Sequence, residues 1–191
     1  MVVYQDERNL MSLVGAMMPD LPYHNFGHAV DVYLASMRLA KLSSLSPEQT
    51  LIVGSAGLLH DAILIPTAKD NEERTAEFAR RYLPGIGYST RQIEQIASLI
   101  LATKIPTAPK NILQEILCDA DLDNLGRDDF LIKNEAVRKE LGIPEGEGWY
   151  TSSLQFLKNH TYYSTAAVKL RDEGKKKNMA KLGAIIKNFQ T

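Results

Sequence analysis

Four histidines stand in the 191-residue chain, His24, His28, His60 and His160, and the first three lie where chemistry is to be expected. His60 is followed directly by Asp61, inside the most apolar stretch of the sequence, residues 51–65. A buried carboxylate must be paired, hydrogen-bonded or bound to a metal, because leaving it bare costs many kcal/mol. The nearest lysine, Lys69, lies beyond Pro66, so an ion pair within the helix is not available. Adjacent residues on a helix point about 100° apart, yet both could reach one ion held close to the axis. A buried histidine beside a capping aspartate would also account for the pair. His28 shares a helical face with Val32, Ala35 and Leu39, and His24 falls one turn earlier on that face if the helix reaches back so far. Asp31 could then orient the His28 ring from behind. Asp119, Asp121 and Asp123 form a third group, after the apolar Ile112, Leu113, Ile116 and Leu117. Periodicity does not single out which of the three points inward, and a solvated helix end carries acids in the same way.

Nearly every segment that positions these residues reads as helix. Residues 2–17 carry apolar positions at Val3, Leu10, Leu13, Val14 and Met17, and a second helix runs from His28 to Leu42 before Ser43 and Ser44. Ser46-Pro47-Glu48 is a start signal, with serine as N-cap and proline at the first position. The helix that follows is apolar almost all round through Ile63, the mark of a central helix, and Pro66 is expected to end it. Further helices are predicted over 72–83, from Ser89 to Leu101, over 111–123, 128–141, 149–160 and 165–189, with a Gly/Pro-rich loop at 142–148. No alternating β-branched run is long enough for a strand. The spacing therefore predicts an all-α fold, one domain over residues 1–191. The run Lys175-Lys176-Lys177 reads as a solvated helix face.

Composition narrows the function classes. Hydrophobic residues make up 45% and charged residues 24%, ordinary values for a soluble globular chain. The formal net charge of −1 argues against a partner bound through bulk charge, such as a nucleic-acid polymer. It leaves room for small phosphorylated ligands, which need only one or two local cations. A single cysteine, Cys118, excludes an intrachain disulfide and a multi-thiolate zinc site. The first ten residues contain Gln5, Asp6, Glu7 and Arg8 and do not form a secretory signal, and residues 51–65 are too few to span a bilayer. A cytoplasmic protein is expected, without a membrane partner.

The order His28, His60-Asp61, Asp121 resembles the H…HD…D signature of the HD-domain metal-dependent phosphohydrolase superfamily. Tyr23-His24-Asn25-Phe26-Gly27-His28-Ala29 resembles the YHNxxHA segment shared by cyclic nucleotide phosphodiesterases and a group of small predicted HD phosphohydrolases. Leu58-Leu59-His60-Asp61-Ala62 is similar to the HD helix. Asn71-Glu72-Glu73-Arg74-Thr75-Ala76 is similar to the NEERSA string of the small group, Leu101-Ala102-Thr103-Lys104 to its LATK segment and Asp119-Ala120-Asp121-Leu122 to its DADL segment. Bare H…HD…D spacing is a weak signal; five ordered strings over roughly residues 10 to 180 are a strong one.

The resemblance implies an all-α HD-type bundle with one divalent metal ion at its centre, held by His28, His60, Asp61 and Asp121. Two imidazoles and two carboxylates suit Mn, Fe, Ni, Zn or Mg without choosing among them. It implies a phosphohydrolase acting on a small phosphate ester, expected to be a nucleotide, with the ion activating water and polarising the phosphoryl oxygens. In that scheme Asp61 orients or deprotonates the water, His24 is the general acid, Lys104 clamps phosphate, and Asn71 and Glu72 support the site from behind. The sequence departs from the pattern after the ATK string, where histidines are frequent in the small group and this chain has Ile105 and Pro106. A second ion held by extra imidazoles is therefore not expected, although Asp61 could bridge to one held weakly. The rival readings are a cyclic nucleotide phosphodiesterase and a metal- or nucleotide-binding module with little turnover. A homodimer is compatible with all of them.

Overall fold

The computed structural model describes residues 5–65 and 68–190, and every regular element among them is helical. In chain order the helices are α1 (Gln5–Met17), α2 (Phe26–Leu42), α3 (Pro47–Leu59), α4 (Asn71–Tyr82), α5 (Thr90–Ala102), α6 (Ile112–Asp121), α7 (Phe130–Glu140), α8 (Glu147–Asn159) and α9 (Thr165–Asn188). Two short 3-10 segments, Leu83–Ile86 and Asp123–Gly126, extend α4 and α6. The expected start of the first helix at residue 2 and the expected stop at Pro66 lie outside the described residues. No helix among those described is long and apolar enough to cross a membrane.

The sequence signals become caps. Ser46 accepts the Gln49 N–H while Gln49 reaches back to the Ser46 N–H, and Ser89 and Gln92 repeat this reciprocal capping box at α5. Asn111 accepts from the N–H groups of Leu113 and Gln114, and Ser164 from that of Ala167. Between α2 and α3, Ser44 takes the turn with φ of 55°.

One core runs through the molecule, with α3 at its centre. Residues 52–59 of α3 are all buried, and α2, α5 and α6 pack around them. On α3 the approach of α2 is close. A Cβ on Gly57 would sit 2.7 Å from Ser36 Oγ and 3.3 Å from the Val32 carbonyl oxygen, and one on Gly54 would sit 2.9 Å from Met37 Sδ. Two glycines one turn apart therefore let α2 lie against α3, which brings the beginning of α2 beside the end of α3.

Two local expectations are corrected. The central helix ends at Leu59, not at Ile63, so His60 and Asp61 occupy the turn that follows it. The reason is downstream: Thr75 Oγ1 meets both the N–H and the C=O of Ile63 (3.3 Å each), which draws the chain off the helical path. His24 lies in the loop ahead of α2, because Asn25 is the N-cap, accepting the His28 N–H and donating to the Leu21 carbonyl. Lys175 is buried and not part of a solvated face; its Nζ donates to the His160 carbonyl at 2.7 Å and lies 5.1 Å from the centre of the Tyr162 ring.

Candidate metal centre

The α2–α3 contact sets up the site. His28, in the first turn of α2, and His60, just past α3, are both buried and face each other with their Nε2 atoms 3.3 Å apart. His60 Nδ1 lies 2.8 Å from the Gly57 carbonyl oxygen, which can only accept, so Nδ1 carries a proton and Nε2 is the atom turned to the cluster. Asp61 Oδ2 lies 3.1 Å from His60 Nε2 and 3.6 Å from His28 Nε2. Asp121, the last residue of α6, places Oδ1 3.2 Å from His60 Nε2 and 3.4 Å from His28 Nε2. The two histidines are sealed in the core, whereas the two carboxylates reach solvent, their side chains 18% and 21% exposed.

The three aspartates are sorted by distant partners. Asp119 is buried and accepts the N–H groups of Tyr163 (2.8 Å) and Ser164 (2.7 Å), tying α6 to the start of α9. Asp123 takes the Arg171 guanidinium on both oxygens, at 2.6 and 2.9 Å. Only Asp121 is turned to the histidines.

The electrostatics favour a cation at this point. Burial alone would lower the pKa of His60, but the charges of Asp61 and Asp121 outweigh it and hold the imidazole well above its ordinary value; His28 is raised by its contacts to the same carboxylates. Burial would raise Asp61 and Asp121, yet the adjacent imidazoles hold both carboxyl groups below the usual range. The cluster thus keeps two carboxylates ionised in a poorly solvated place. Ligand bonds of about 2.1 Å put neighbouring donor atoms roughly 3.0–3.4 Å apart. The spacings among His28, His60 and Asp121, 3.2–3.4 Å, match that requirement, and Asp61, 3.1 Å from His60 and 3.6 Å from His28, lies at its edge, so the donor set suits a divalent ion. His24 and Asp61 also form, with His28, a second overlapping group of potential ligand atoms.

His24 is held beside the cluster. Its Nε2 lies 3.7 Å from Asp61 Oδ2, and its Nδ1 is bound by the Glu140 carboxylate. The other Glu140 oxygen accepts the N–H groups of Tyr23 and His24 at 2.9 Å each. Glu140, the last residue of α7, thereby fixes both the loop and the ring. Its distance in sequence from residue 24 left no local signal by which sequence reasoning could have found it.

The other expected residues are placed elsewhere. Asp31 does not orient His28; its carboxylate is held by Lys133 Nζ at 2.6 Å, with Arg127 at 3.6 Å. Lys104 is exposed and ion-paired with Glu73. Asn71 clasps Ile65, accepting its N–H at 3.0 Å and donating to its carbonyl at 3.1 Å, and so closes the loop that carries His60 and Asp61. Glu72 is half-buried in the first turn of α4 and belongs to neither group of converging ligand atoms.

A cavity of about 410 Å³ opens beside the cluster, reaching it at His24 and Asp121. Its walls come mainly from α7, α8 and the segment after α6, including Leu125, Phe130, Trp149 and Phe156. Asn134 organises one wall, accepting the Trp149 indole N–H at 2.8 Å and donating to Ser153 Oγ at 2.9 Å.

No family model and no curated protein matches this sequence. Solved structures do match in three dimensions. The structure of Bacillus subtilis YpgQ in complex with ADP superposes with a TM-score of 0.72 at 14% identity, covering 95% of this chain and 96% of that one. A predicted HD superfamily hydrolase from an uncultured Thermotogales bacterium gives 0.63 at 18% identity, covering 96% and 90%. The structure of LmjPDEB1 in complex with IBMX gives 0.57 at 13% identity, covering 97% and 79%. The helical architecture is common to all three over nearly the whole chain. The protein thus has an all-α fold shared with these solved structures, among them a predicted HD superfamily hydrolase.

Proposed function

We propose that this protein is a metal-dependent phosphohydrolase acting on a small phosphate ester, a nucleotide being the preferred class. The observation that carries the reading is the convergence of His28, His60, Asp61 and Asp121 at the mouth of a cavity, with His24 leaning over them. His28, His60, Asp61 and Asp121 would hold one divalent ion. Bound there, such an ion supplies Lewis-acid polarisation of a phosphoryl oxygen and lowers the pKa of water.

The chain's own residues do the rest. The contacts of Asp61 within the cluster are all made by Oδ2, so Oδ1 is available to orient and deprotonate an attacking water. His24 presents Nε2 on the same side and donates a proton to the leaving oxygen. Glu140 binds Nδ1 and keeps the ring from turning. A nucleotide is supported by the fold likeness to proteins solved with ADP and with IBMX. A phosphodiester of the cyclic nucleotide kind is the second reading, favoured by the likeness to LmjPDEB1 and by the Tyr23–Ala29 string. A binding module with little turnover is the third.

A turnover screen with Mn²⁺ over nucleoside mono-, di- and triphosphates, a cyclic nucleotide and a generic phosphodiester separates these readings. Elemental analysis after loading and desalting should find about one metal equivalent, and His60→Ala should lose both metal and turnover. Full metal retention by His60→Ala refutes the ligand assignment; no turnover on any ester leaves the module reading.

A further inference from the structure

The cavity beside the cluster carries information about what is attached to the reacting phosphorus. Leu125, Phe130, Val137, Trp149, Phe156 and Leu157 make it largely apolar, and neither Lys nor Arg is among the residues that line it. Of the cations adjacent in sequence to lining residues, Lys104 is paired with Glu73, Lys133 with Asp31 and Arg138 with Glu135, while Lys158, next to Leu157, is exposed. One polar group is left over. Asn124 lines the cavity, and its Oδ1 is buried without a hydrogen-bond partner among the described residues. A buried acceptor with no donor is rare in a folded chain and marks a place where a partner arrives from outside. Asn134, which also lines the cavity, is already used by Trp149 and Ser153.

Resting on the phosphohydrolase reading, the geometry points to a substrate with a single phosphate, whose alcohol portion is an uncharged, largely apolar group bearing an N–H or O–H donor for Asn124. The volume of about 410 Å³ lies in the range of small-molecule sites, about 300–1,000 Å³. A phosphate at the cluster meets the cation and the histidines there. Any further phosphate in the cavity would lie against Phe130, Trp149 and Leu157, where no cation compensates its desolvation. The alcohol, by contrast, exchanges water for aromatic contact, and its donor satisfies Asn124. The cavity therefore selects against chains of phosphates.

The chain contains one tryptophan, and it lines this cavity, so its fluorescence reports occupancy whether or not hydrolysis occurs. The metal-free full-length protein is titrated with adenosine, and the Mg²⁺-loaded protein with adenosine, AMP, ADP and ATP. Adenosine should perturb Trp149 emission saturably in both forms, with AMP binding about tenfold or more tighter than ATP. Asn124→Leu should weaken adenosine by about tenfold while leaving the metal content at the wild-type value. Affinity that rises from AMP to ADP to ATP overturns the proposal, as does an Asn124→Leu variant that binds adenosine as tightly as wild type. The two readings fail separately. Hydrolysis of AMP with Trp149 unresponsive sinks the cavity assignment alone, whereas saturable binding of adenosine and AMP without turnover of any ester sinks only the phosphohydrolase reading.

Discussion

Replacing Glu140 by glutamine tests the catalytic geometry without touching a metal ligand. In the wild type one Glu140 oxygen accepts two backbone N–H groups at 2.9 Å and the other binds His24 Nδ1. Its side chain is only 8% exposed, so solvent does little to replace these contacts. In Glu140→Gln the amide oxygen can still accept the two N–H groups, but an NH₂ now faces His24 and the negative charge is gone. A hydrogen bond to a charged group contributes about 1.5–3 kcal/mol, so the anchoring of the His24 ring weakens by about that much, or roughly 10–100-fold in turnover. Loop position and metal content should be unchanged, since Asn25 and Asn71 hold the surrounding segments independently. The assay is kcat on an alkyl phosphate and on nitrophenyl phosphate, with metal content and urea unfolding measured alongside. The loss should be large for the alkoxide and small for nitrophenolate, which leaves without protonation. Turnover within twofold of wild type on both, or equal losses on both, refutes the role assigned to Glu140 and His24. Glu140→Ala should behave differently, because two backbone N–H groups lose their acceptor; it should also cost about 1–3 kcal/mol of stability.

Further outcomes follow from other parts of the structure. His24→Asn should keep the metal and lose about 10²–10⁴ in turnover on the alkyl ester, far less on the nitrophenyl ester; equal losses on the two would remove His24 from the mechanism. Gly57→Ala places a methyl 2.7 Å from Ser36 Oγ and 3.3 Å from a backbone oxygen, so urea unfolding should show about 1–3 kcal/mol of destabilisation and metal affinity should fall as α2 is pushed off α3; an unchanged midpoint would show that the contact relaxes freely. Burial, followed by the nearby Lys175 ammonium, pushes His160 from 6.5 down to about 4. The unfolded chain therefore takes up this proton first, and the stability tied to neutral His160 is complete above pH 6.5 and lost as pH falls from 6.5 toward 4. Urea midpoints at pH 7.5 and pH 5 should diverge less in His160→Gln than in wild type; identical pH slopes would contradict this.

The fold was legible because its signals are local. Ser46, Ser89 and Asn111 cap helices through bonds spanning two or three residues, and the all-round apolar pattern of residues 51–59 marks a central helix wherever the rest of the chain goes. His28 and His60-Asp61 were legible for a related reason: polar groups on core-directed faces demand partners. What those partners are is not a local matter. Asp119, Asp121 and Asp123 sit on one short segment with similar periodicity; the family resemblance implied Asp121, but the physical sorting is done by Tyr163 and Ser164, by the histidines and by Arg171, all more than forty residues away. Asp31 went to Lys133 and His24 went to Glu140 across more than a hundred residues. Backbone hydrogen bonding and capping are satisfied within a turn of chain, so sequence alone determined the helices; a side chain's charge is satisfied by whatever the tertiary path brings near, so only packing decided the site.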